Sequence, residues 1–159
     1  LMKSVTKSDV LIRNQLFATL DTTVRRLYIG NNNHILLSDT VGFIRNLPDN
    51  LIASFKSTLQ EVVDSDLLLI VLDANSKDLF NEIETIKSVL KEIHADQIDY
   101  QYVFNKIDLV DQDKISYLKQ TFPDRIMVSA TRSLQISDIK DIITKKYKEW
   151  ISALKNPSH

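Results

Sequence analysis

Residues 101–108 read Gln-Tyr-Val-Phe-Asn-Lys-Ile-Asp, a short apolar strand that runs straight into the polar group Asn105-Lys106-Ile107-Asp108. Upstream, Leu67 to Asp73 read Leu-Leu-Leu-Ile-Val-Leu-Asp. Such an unbroken apolar run is what a strand buried on both faces of a parallel sheet looks like. Between the two, Ile83, Ile86, Leu90 and Ile93 recur at helical spacing and predict a helix from about Leu79 to His94. Strand, helix, strand is a βαβ unit, so the chain is α/β with a mostly parallel sheet flanked by helices.

The same reading extends in both directions. Downstream, a short helix is expected over Asp113 to Gln120, a strand over Arg125 to Val128 and an amphipathic helix over Ser137 to Leu154. Upstream, apolar positions from Leu51 to Val63 predict a helix starting near Asn50, preceded by a loop over Asp39 to Pro48. Val24 to Ile29 and Ile35 to Ser38 read as strands, and the intervening Gly30-Asn31-Asn32-Asn33 tolerates positive φ, so they form an antiparallel edge hairpin. Leu1 to Val10 is expected to be one short helix, followed by a loop through Asp21. Residues 1–155 are expected to form one domain, with 156–159 as a tail.

Composition sets bounds on function. Apolar residues make up 43% and charged residues 26%, as in ordinary soluble domains, and the formal net charge of −1 gives no overall pull towards nucleic acid or anionic membrane. Lys145, Lys146 and Lys148 read as a solvated helix face. The absence of cysteine excludes disulfides and thiolate metal sites. The longest apolar run is far too short to span a bilayer, and a cytoplasmic location is expected. His34, His94 and His159 show no metal-ligand spacing. Only two glycines occur, Gly30 and Gly42, where average usage predicts about eleven. The sequence contains neither GxxxxGK[ST] nor GxGxxG.

Ligands of open α/β sheets gather at the carboxyl ends of the strands. Three clusters are expected there: Asp39-Thr40-Val41-Gly42, Asn105-Lys106-Ile107-Asp108 and Ser129-Ala130-Thr131. Asp-x-x-Gly alone arises by chance in about half of chains this long, but Asn-Lys-x-Asp in only about a few per cent. The carboxylate of Asp108 can accept from the guanine N1–H and 2-amino group, a donor pair that adenine lacks. Asn105 would tie its loop to its neighbours and reach the base edge. Lys106 can lay its stem across the flat base, and the Ala130 N–H can meet the guanine O6. Asp39 suits Mg²⁺ held through water, and Gly42 lets its N–H approach a γ-phosphate oxygen.

The flanking residues make this pattern specific. Gln15-Leu16-Phe17-Ala18-Thr19-Leu20-Asp21-Thr22-Thr23, then Arg25-Arg26, is similar to the first switch segment of HflX-family GTPases. Asp39-Thr40-Val41-Gly42-Phe43-Ile44-Arg45, with Leu47-Pro48, resembles the family's second switch, and Phe55, Ser57-Thr58-Leu59, Glu61 and Asp66 to Asp73 continue the match. The resemblance is close from roughly Asn14 to Asp108 and looser beyond.

It implies a Ras-like fold, GTP and GDP as ligands, Mg²⁺ as cofactor and GTP hydrolysis, with the large ribosomal subunit as a partner. It also implies that Thr19 is the switch threonine that coordinates Mg²⁺ beside Asp39; Thr22 and Thr23 are rivals. Asn105, Lys106, Asp108, Ser129 and Ala130 would form the base site. Phe43 stands where related GTPases often carry a glutamine, as it does in this family, so slow intrinsic turnover is expected. Thr131 departs from the family's usual lysine. The family's phosphate-binding loop would end where Leu1 begins, and the strand before it lies near the middle of the sheet. Its loss should leave unpaired strand edges and a groove through the core. The competing expectation is a pseudo-GTPase that binds a partner without turnover.

Overall fold

The computed structural model describes residues 1–6, 23–39 and 56–155. Its elements, in chain order, are α1 (Met2–Thr6), β1 (Thr23–Gly30), β2 (Asn33–Asp39), α2 (Lys56–Val63), β3 (Leu68–Asp73), α3 (Leu79–Glu92), β4 (Tyr100–Asn105), a 3₁₀ turn (Ile107–Leu109), α4 (Gln112–Thr121), β5 (Arg125–Met127) and α5 (Ile136–Lys155). The helix expected over Leu1 to Val10 is seen at Met2–Thr6. Its remainder, the start of the helix expected from Asn50, the loop through Asp21, most of the loop after Asp39, and the tail 156–159 lie outside the described residues.

β3, β4 and β5 form a parallel sheet in that order, with Leu72 opposite Phe104 and Phe104 opposite Met127. The alternation of side chains along β3 explains its unbroken apolar sequence. Ile70 and Leu72 join Phe104 and Met127 in a core with Leu79, Ile83 and Leu90 of α3 and Leu118 of α4. Leu67 and Leu69 point the other way, towards Val103, Ile126, Val128 and the α5 residues Ile139 and Ile143.

β1 and β2 pair antiparallel as a separate two-stranded sheet, with Leu27 opposite Ile35. The turn uses the left-handed region at Gly30 (φ 97°), Asn31 (φ 50°) and Asn32 (φ 59°), as the Gly-Asn-Asn-Asn sequence predicts. Leu27 and Ile35 pack onto the α5 side of the parallel sheet, so the hairpin is joined to it through side chains.

The Asp111 side chain caps α4 by accepting from the Lys114 N–H at 2.8 Å. Asp111→Ala is expected to cost about 1 kcal/mol, read as a lower urea midpoint with an unchanged slope; an unchanged midpoint would remove the cap from the stabilising contacts.

Candidate functional site

Because β3, β4 and β5 run parallel, their carboxyl ends lie side by side, carrying Asp73, Asn105 and the segment from Val128. The Val128 N–H donates to the Phe104 carbonyl at 2.8 Å and the Ile107 N–H to the Val128 carbonyl at 3.2 Å, extending the ladder past both strand ends. Asn105 then bridges the two loops, its Oδ1 accepting from the Ala130 N–H at 3.0 Å. Asn105 thereby ties its own loop to the one that carries Ala130.

Ser129 is fully buried and shapes the loop that follows. Its N–H and carbonyl pair with Leu134 at 3.1 and 3.0 Å, and its Oγ accepts from the Arg132 N–H at 3.1 Å. Positive φ at Ser133 and Gln135 closes this tight loop. From the far side, the Ser4 Oγ of α1 donates to the Ala130 carbonyl at 3.2 Å.

Lys106 adopts a left-handed backbone (φ 64°, ψ 35°) that starts the 3₁₀ turn. This conformation is costly for a residue with a Cβ and tends to persist where surrounding bonds enforce it. The Lys106 Nζ meets the Asp73 Oδ2 at 2.7 Å, and the Asp73 Oδ1 accepts from the Asn75 N–H at 2.9 Å. Both charged groups are well exposed, so the pair orients the lysine more than it stabilises the fold.

The Asp108 side chain is only 17% exposed and faces Arg132, whose Nε stands 3.9 Å from Oδ2. That separation is too long for a hydrogen bond. The carboxylate thus keeps acceptor capacity at the mouth of the loop pair, which is what a reader of two adjacent N–H donors requires.

Asp39 ends β2, opposite Thr23 across the hairpin. The residue as a whole is exposed, yet loss of water contacts raises the pKa of its carboxyl, opposed by the Arg25 guanidinium. A raised carboxyl pKa in the folded state favours stability at low pH and costs stability once pH rises through that pKa. Asp39→Asn is therefore expected to raise the urea midpoint slightly at pH 7, the gain vanishing as pH falls below the carboxylate range. A gain that grows on acidification would contradict the assignment.

Thr19, Thr22, Gly42 and Phe43 lie outside the described residues, so Asp39 is the described member of the expected switch residues together with the Thr23 backbone. Among the described residues no group of three or more His, Asp or Glu side chains could hold a metal ion. The sequence reading missed Asp73, Arg132 and Ser4. Asp73 had a signal, a carboxylate ending the strand beside Asn-Lys-x-Asp; the Ser4 contact, between residues 126 positions apart, had none.

A model of the 50S ribosome-binding GTPase family matches residues 1–106. The chain is 44% identical to the GTPase HflX of Gluconacetobacter diazotrophicus over 90% of its own length and 32% of that protein. It is 53% identical to the Flavobacterium psychrophilum GTPase HflX over 68% of this chain and 26% of that one. Against the Escherichia coli GTPase HflX it is 38% identical over 92% and 35% of the two chains. It thus spans about a third of these curated relatives or less. A crystal structure of a mutation variant of SsGBP superposes with a TM-score of 0.67 at 30% identity, covering 79% of this chain and 47% of that one. The SsGBP complex with GDP shares the fold, with a TM-score of 0.68 at 24% identity over 94% of this chain and 45% of that one. On the family match over residues 1–106 and the HflX relatives together, the chain belongs to the 50S ribosome-binding GTPase family, and within it to the HflX GTPases.

Proposed function

We propose that the paired loops after β4 and β5 form the guanine-binding half of a GTPase site. The observation that carries this reading is the bond from the Ala130 N–H to Asn105 beside the half-buried, incompletely paired carboxylate of Asp108. Asn105 fixes the spacing of the two loops, Asp108 accepts from N1–H and the 2-amino group, and Lys106 covers one face of the base. The Ala130 N–H, shared with Asn105 Oδ1, serves O6. Ser129 acts by holding the loop in shape.

At the other end of the nucleotide, Asp39 would hold hydrated Mg²⁺ together with a switch threonine, Thr19 or its rivals Thr22 and Thr23. An exposed carboxylate whose charge lacks full compensation fits a hydrated cation, and Mg²⁺ needs few protein ligands because water and phosphate oxygens fill its shell. When bound, the ion neutralises charge on the phosphates. Gly42 would offer its N–H to the γ-phosphate. Phe43 cannot hydrogen-bond the attacking water, so positioning by the backbone or by a partner supports hydrolysis, and intrinsic turnover is slow. In the whole protein we place this domain on the large ribosomal subunit in the cytoplasm, following the family's description and its HflX relatives.

The isolated 159-residue chain supplies the base site but no glycine-rich loop around the β-phosphate, so its affinity for GDP is expected to be weaker than about 1 µM. Calorimetric titration with GDP checks this; sub-micromolar binding would show that the base half carries more of the affinity than proposed.

A further inference from the structure

Lys106 and Asp108 stand two residues apart in one loop and carry opposite charges, yet each meets a partner on a different flank of the sheet. β4 lies between β3 and β5, and Asp73 at the end of β3 is the register partner of Asn105. The Lys106 Nζ crosses to this β3 flank, where it meets the Asp73 Oδ2 at 2.7 Å. The Asp108 carboxylate faces the β5 flank, with the Arg132 Nε 3.9 Å from its Oδ2.

Asp73 is itself held in place. Its Oδ1 accepts from the Asn75 N–H at 2.9 Å, so one oxygen shapes the turn after β3 while the other faces the lysine. The Ala74 N–H donates to the Asn105 carbonyl at 2.8 Å, which ties this turn to the residue that bridges the two base loops. An ion pair as exposed as Lys106 with Asp73 adds little to the stability of the fold. Its effect is to choose the partner of a long, flexible side chain. A released ammonium would be free to turn to Asp108 in its own loop, and there it would compete with the N1–H and 2-amino donors for the same oxygens.

We infer that Asp73 is a positioning residue for guanine nucleotide binding. It acts through Lys106, holding the ammonium on the β3 flank so that the lysine stem stays fixed for the face of the base and the Asp108 carboxylate stays open to its edge. The inference rests on the guanine-site reading above and gives Asp73 no contact of its own with the nucleotide.

The test is a double-mutant cycle on GDP affinity, measured for the full-length protein by displacement of a fluorescent GDP. Asp73→Asn keeps an oxygen for the Asn75 N–H and removes the charge that faces Lys106. It should lower GDP affinity about fivefold, the upper range for an exposed pair, and leave the urea midpoint in place. In a Lys106→Ala background the same change should stay within about twofold, because a residue that acts only through the lysine then has nothing to act on. Equal losses in both backgrounds would overturn the inference and mark Asp73 as a structural residue, with a lowered urea midpoint as the sign of it. No loss with Lys106 present, or a gain from an ammonium set free to meet phosphate, would overturn it as well. Asp108→Asn in the same assay separates the two readings. An unchanged preference for GDP over XDP would remove the guanine site and this inference with it, whereas a switch to XDP combined with equal losses would remove the positioning role alone.

Discussion

Asp108→Asn is expected to turn a guanine site into a xanthine site. In the proposed site the wild-type carboxylate would offer two acceptors to the N1–H and 2-amino group of guanine; an asparagine amide offers one acceptor and one donor. The donor then opposes the 2-amino group but matches the 2-oxo group of xanthine. A polar site facing a mismatched partner loses both the bond and the hydration of the groups left unpaired. For a side chain only 17% exposed, the expected loss of GDP affinity is at least about a hundredfold, roughly 2.7 kcal/mol, with a gain for XDP. Competition between GDP and XDP for the full-length protein measures the ratio directly. An unchanged ratio would remove Asp108 from base reading and leave it as a loop residue paired with Arg132.

The second large effect is structural. Phe104 is fully buried on β4, the middle strand of the parallel sheet, with the Phe122 ring centroid 5.0 Å away and that of Tyr102 at 6.3 Å. Phe104→Ala should cost about 3–5 kcal/mol, combining lost transfer energy with a cavity that its two aromatic neighbours close poorly. Marginal domain stability of roughly 0.05–0.15 kcal/mol per residue makes this a large share of the total. Equilibrium urea unfolding followed by circular dichroism reports it, and a loss below about 1 kcal/mol would mean that the core re-forms around the gap. The damage should reach the site, because the Phe104 carbonyl accepts from Val128 and the next residue is Asn105.

Much of this architecture is legible from residue pattern alone because the relevant forces are local or periodic. The run Leu67 to Leu72 is apolar throughout because its alternate residues meet different cores, one beneath α3 and α4 and one beneath α5. The hairpin is legible because Gly30, Asn31 and Asn32 are the residue types that accept positive φ. The last helix, expected over Ser137 to Leu154, spans Ile136–Lys155. Less legible are features fixed by contacts across the chain. The 3₁₀ turn at Ile107–Leu109 follows a lysine in the left-handed region, a conformation that no propensity favours and that sits beside the bond from the Ile107 N–H to the Val128 carbonyl. The expected antiparallel hairpin is present, forming a two-stranded sheet of its own among the described residues.

At the candidate site, residue types pointed to loops that the geometry brings together. Asn-Lys-x-Asp and Ser-Ala are 20 or more positions apart, yet parallel pairing of β4 with β5 brings their loops into one hydrogen-bonded unit through Asn105 and Ala130. What pattern could not give was the partner of each charge. Lys106 turns to Asp73 and Asp108 faces Arg132, and both pairings depend on strand order.

The most direct test of a guanine-reading site is a nuclear magnetic resonance titration of the 159-residue chain with GMP and, in parallel, AMP at millimolar concentration. The base site should respond to GMP, with the amide signals of Ala130, Lys106 and Asp108 shifting together along one saturation curve, and AMP should leave them in place. Equal shifts with both nucleotides, or GMP shifts confined to residues away from these two loops, would contradict the assignment of Asn105, Asp108 and Ala130 to guanine recognition.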